Sequence, residues 1–159
     1  MGRMIPRWYG ADPVWTLPFQ RDARRHYGDE IKVDLRRDQL IYRHRGLDVP
    51  GRDRAVPVTI LFEARPLYDT YGLAAQDYPR VFADAGLESP HRMPDDSLCL
   101  FYPGDPPDRR WTAEDGLLAL LNLTGDHLFF ETYWRHTGGR RGGKWLAPEA
   151  PHGYQGSPR

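Results

Sequence analysis

The chain has 159 residues, and its 22 basic and 22 acidic side chains leave no formal net charge at neutral pH. That balance excludes a global field drawing it to nucleic acid or to an anionic membrane, and no run of about eighteen apolar residues exists to span a bilayer. The length suits a single domain over residues 1–153, with one site and a disordered tail over 154–159. The start, MGRMIPRWYGADP, lacks the apolar core of a secretory signal, so a cytoplasmic protein is expected.

Thr16, Leu17 and Pro18 can open a helix that Gly28 closes, with Leu17, Phe19, Ala23 and Tyr27 as a partial apolar stripe. Ile31, Val33 and Leu35 then alternate with Lys32, Asp34 and Arg36, the period of a half-buried strand. A second strand is predicted from Leu40 to about Arg45 and a third from Val56 to Phe62, separated by turn residues at 46–54. With no helix between these strands, the pattern predicts an antiparallel meander in an α+β fold.

Residues 64–107 are rich in proline and short of periodicity, apart from apolar pieces at Val81-Phe82 and 98–102. A long irregular segment inside a compact domain is usually functional. Thr112 and Asp115 have the spacing of a capping box ahead of Leu117, Leu118, Leu120 and Leu121, and a second, aromatic helix is predicted over 126–137. Gly138-Gly139 would stop it. Trp145 would pin an extended segment beyond.

As the only cysteine, Cys99 can form no internal disulfide and no thiol-rich zinc site. It is therefore either a buried small hydrophobe or a reactive thiol. Pro90, His91, Pro94, Asp95 and Asp96 precede it, and turn formers in that density set the thiol near the mouth of a loop. A thiolate must not face a nearby carboxylate, so Asp95 and Asp96 are expected to face water or cap a turn.

The segment SPHRMPDDSLCL, residues 89–100, resembles the active-site signature of ubiquitin-conjugating enzymes: His-Pro-Asn, a turn with Asp-Gly, then hydrophobic-Cys-Leu. Pro90 falls on the proline and His91 on the asparagine, eight residues before Cys99. Trp111-Thr112-Ala113 resembles the family's Trp-Ser/Thr-Pro, and Tyr78-Pro79 with Val81-Phe82 resembles its Tyr-Pro strand edge. Trp134 to Gly139, then Trp145 and Pro151-His152, resemble the prokaryotic branch, associated with anti-phage operons. The resemblance covers residues 56–153.

It implies the ubiquitin-conjugating fold, with an N-terminal helix, an antiparallel β-meander and C-terminal helices. It also implies a thioester between Cys99 and the C-terminus of a ubiquitin-like protein or of a cGAS-like nucleotidyltransferase that makes cyclic oligonucleotides, then transfer to an amine or other nucleophile. No cofactor or metal is called for. No phosphate-binding loop is present to activate a carboxylate, so a separate activating enzyme is implied.

The departures from the family pattern are Ser89 for histidine, His91 for asparagine and Asp96 for the turn glycine. His91 can donate to an oxyanion, accept a proton from the incoming amine, or only brace the loop. Asp96, Trp111 and His152 are candidate supporting residues. These departures also admit an inactive adaptor that keeps the fold and binds the same partner. The spacings of His91, His127, His136 and His152 do not match a zinc site. Phe129, Phe130, Tyr133 and Trp134 read as core at helical spacing, while Trp8, Tyr9 and Trp15 either cover the sheet or form a contact surface.

Overall fold

A computed structural model describes residues 7–146. Helix α1 runs Pro13–Tyr27, a turn earlier than predicted from Thr16, because Asp12 accepts the Val14 backbone N–H at 3.0 Å and Pro13 fills the first helical position. Pro18 consequently lies inside the helix and removes one backbone donor. Gly28 ends it with φ 56°, the left-handed conformation that glycine adopts without strain.

Strands β1 (Ile31–Leu35), β2 (Gln39–Leu47), β3 (Val56–Glu63) and β4 (Arg80–Phe82) follow, forming one sheet in the order β1-β2-β3-β4 with every pairing antiparallel. The architecture is thus α+β, as the meander pattern predicted. Alternation on β3 buries Val56, Val58, Ile60 and Phe62 on one face, and Leu40 and Tyr42 of β2 join them. On the edge strand β1 only Ile31 is sealed. Val33 and Leu35 share its face but stand largely in solvent, so the predicted stripe is only one-third buried.

Helix α2 spans Gly116–His136 without interruption, where two segments meeting near Gly125 were predicted. The weak helix formers between the predicted segments, Asn122, Thr124 and Gly125, are carried by packing: Thr124 is buried and its hydroxyl donates to the Leu120 carbonyl at 2.7 Å. Upstream, the Asp115 carboxylate accepts the Thr112 N–H at 2.8 Å, as the capping spacing predicted. Leu117, Leu120, Leu121 and Leu128 close over the sheet, and α1 packs beside α2 through Phe19 and Ala23.

The N-terminal aromatics cover the sheet. Trp15 stacks on Phe19 at 4.4 Å, Tyr9 meets Trp15 edge-on at 4.9 Å, and the Tyr9 hydroxyl donates to the Glu63 carbonyl at 2.7 Å. Among the described residues no helix is long and apolar enough to cross a membrane.

Candidate active site

Beyond β4 the chain makes a tight hairpin that places Cys99. Met93 N–H donates to the Ser97 carbonyl at 2.8 Å, Asp96 N–H to the Met93 carbonyl at 2.9 Å, and Arg92 and Leu98 form an isolated antiparallel bridge. Leu98 N–H reaches the Val81 carbonyl at 2.9 Å, anchoring the hairpin to the sheet edge. Cys99 N–H then donates to the His91 carbonyl at 3.2 Å, which sets the two side by side despite the eight residues between them.

Both aspartates of the turn accept backbone hydrogen bonds. Asp95 Oδ1 accepts the Ser97 N–H at 2.9 Å and the Ser97 hydroxyl at 2.5 Å. Asp96 adopts φ 70°, and its carboxylate accepts the Gly86 N–H at 2.8 Å. Aspartate tolerates this conformation better than most side chains because its short polar group can bond locally.

Arg92 ties the hairpin to α2. Its Nε and Nη2 donate to the two oxygens of Glu131 at 2.9 and 2.7 Å, and Nη1 donates to the Ala83 carbonyl at 2.9 Å. Glu131 is 0% exposed. Burial alone would raise its pKa, but the adjacent His127 and the hydrogen bonds from Arg92 outweigh that and hold it down at about 2. Beside this pair, Arg52 grips both oxygens of Asp84 at 2.6 and 2.9 Å, and Arg135 donates to the Glu88 carbonyl at 3.1 Å. Every basic group here has an acidic or carbonyl partner, which is the condition for burying charge at tolerable cost.

Cys99 lines a cleft of about 720 Å³. One wall is the segment from Leu100 to Trp111; the other is a stripe on α2 that includes Ala119, Leu123, His127 and Phe130. Trp145 closes one end, its ring 4.3 Å from His91, 5.3 Å from His127 and 5.7 Å from Phe130. A tight turn brings it there: a Cβ at Gly143 would collide with the Trp134 carbonyl oxygen and the Gly139 backbone. At 2% exposure, Cys99 is more enclosed than the loop-mouth position expected from its neighbours, because Leu98, the residue before it, is pinned to Val81 of β4.

The structure gathers Cys99, His91 and Asp96 on one hairpin. Trp111 is placed on the cleft wall, packed against Phe101 and Phe19, with its indole N–H donating to the Gly116 carbonyl at 3.0 Å. It therefore joins the cleft to the start of α2. His136 ends α2, and His152 lies outside the described residues, as does the predicted tail over 154–159. Among the described residues no three His, Cys, Asp or Glu side chains are grouped so as to hold a metal ion.

Sequence reasoning weighed His127 only as a metal ligand and overlooked Arg92 and Glu131. The available signal was Glu131, the lone charged residue in the largely aromatic run 128–134, four residues after His127. Phe130, expected in the core, instead lines the cleft. Comparison of the chain with protein-family models, with curated proteins and with solved structures finds no match.

Proposed function

We propose that the protein is a ubiquitin-conjugating-like acyltransferase in which Cys99 carries the C-terminus of a ubiquitin-like protein or of a cGAS-like nucleotidyltransferase as a thioester. The acyl group then passes to an amine or another nucleophile, in a bacterial anti-phage system with a separate activating enzyme. The observation that carries this reading is the position of Cys99: bonded through its backbone to His91, it lines a roomy cleft walled by Trp111 and α2. Such a cleft suits an extended chain end, and thioester exchange asks little more of the protein than a positioned thiol.

Two further features support it. The order of N-terminal helix, antiparallel meander and C-terminal helical part is in keeping with the resemblance, although one helix, α2, stands where it implies several. Asp96, which stands where the signature has glycine, adopts the left-handed conformation that glycine favours. The substitution thus keeps the turn.

The burial of Cys99 favours a second reading, an adaptor of the same fold that binds the partner without forming a thioester. Incubation with activating enzyme, ATP and a candidate partner separates the two. The enzyme reading expects an adduct on Cys99 that thiols release and that Cys99→Ser cannot form in thiol-labile form. Binding of the partner by wild type and Cys99→Ser alike, with no adduct on either, would establish the adaptor.

A further inference from the structure

Ala119, Leu123 and His127 recur every four residues along α2 and so share one stripe of the helix, and all three line the same cleft as Cys99. His127 is the titratable member of that stripe, and it is 5% exposed. Its Nε2 is sealed from solvent 3.3 Å from Glu131 Oε2, an ion-pair distance without the alignment of a good hydrogen bond. Glu131 cannot turn to improve it, since both its oxygens are held by Arg92. The Trp145 ring meets the imidazole edge-on at 5.3 Å. The carboxylate that holds Arg92 thus also stands ready to balance the charge of an imidazole that gains a proton in turnover.

Resting on the thioester reading, we propose that His127 is the proton acceptor of the Cys99 site, held in orientation by Glu131. During loading the Cys99 S–H bond breaks and its proton passes to the His127 imidazole. The sulfur lone pair adds to the carbonyl carbon of an activated acyl group, a thioester or acyl adenylate, and the leaving group departs with its bonding pair. Solvent then takes the proton from the ring. During discharge the attacking amine forms the C–N bond and gives its proton to His127, the C–S bond breaks, and the Cys99 thiolate recovers that proton. The full positive charge on the ring in each step is met by Glu131.

Alkylation of Cys99 by iodoacetamide tests this on the full-length chain without any acyl donor, read by intact mass near pH 7. The wild-type thiol should react in the folded state. His127→Gln, which keeps volume and polarity, should slow it by about tenfold or more in a protein that still melts cooperatively above the assay temperature. His127→Ala should be slowed likewise and regain rate with added imidazole, which should not accelerate wild type; if the Gln variant unfolds, this rescue decides. Equal rates for wild type and His127→Gln, no rescue of His127→Ala, or a wild-type thiol that reacts only on unfolding would each overturn the proposal. His127-dependent alkylation in a protein that accepts no acyl group would instead reject the conjugating reading and retain the proton acceptor.

Discussion

Around Phe62 the protein is held by apolar contact, whereas around Cys99 it is held by charge. Phe62 meets Tyr9, Trp15, Phe19 and Tyr42, all rings, and is 0% exposed. The hairpin bearing Cys99 leans on Arg92 and Glu131, and its neighbour turn on Arg52 and Asp84. The first kind of contact is indifferent to direction and tolerant of small shifts. The second fixes one geometry, because a guanidinium meets a carboxylate through two bonds at once. A core needs the former, and a hairpin that holds Cys99 in one place is served by the latter.

The contrast can be broken from both sides. Phe62→Ala should cost about 3–5 kcal/mol by transfer and cavity terms together, and chemical denaturation should give nearly the same loss at pH 7 and pH 3. Glu131→Gln strands a buried guanidinium and should cost on the order of 3 kcal/mol at pH 7, lowering the melting temperature by roughly 10 °C. Its loss should depend on pH. With the folded-state pKa lowered from 4.5 to about 2, the carboxylate contributes fully above about 4.5, and that contribution fades as pH falls toward about 2. The gap between wild type and Glu131→Gln should therefore shrink across that window, while the Phe62→Ala gap does not. Adding Arg92→Met to Glu131→Gln should restore part of the stability without restoring the hairpin geometry.

Smaller effects sharpen the comparison. Asp95→Ala removes acceptors for the Ser97 N–H and hydroxyl and should cost about 1 kcal/mol in equilibrium unfolding. Gly125→Ala should act in the opposite direction. A Cβ there meets nothing within 4 Å, so the gain of helix propensity should stabilise the protein by about 0.5–1 kcal/mol, measured as a rise in denaturation midpoint.

The same division decides what could be read from the residues. The strands and the face of β3 were legible because burial on one side imposes alternation, and Val56, Val58, Ile60 and Phe62 obey it. The Thr112 and Asp115 cap was legible because its chemistry is local. The unbroken α2 was not, since the intrinsic weakness of Asn122, Thr124 and Gly125 is overcome only by contacts distant in sequence. At the site, the pairing of Arg92 with Glu131 joins residues 39 apart, and no spacing rule announces it. The hairpin around Asp95 and Asp96 is local and could be anticipated. The burial of Cys99 could not, because it depends on how Leu98 docks on β4.

The unbroken course of α2 also gives the cleft two unlike jaws. Its 21 residues form a rod about 30 Å long, carrying Ala119, Leu123, His127 and Phe130 as a fixed comb. The opposite jaw is chain between Leu100 and Trp111 with a single short turn of 3-10 helix at Pro107–Arg109. Under the proposed function, spacing along a bound chain end would follow the rod, and variation in its thickness would fall to the loop.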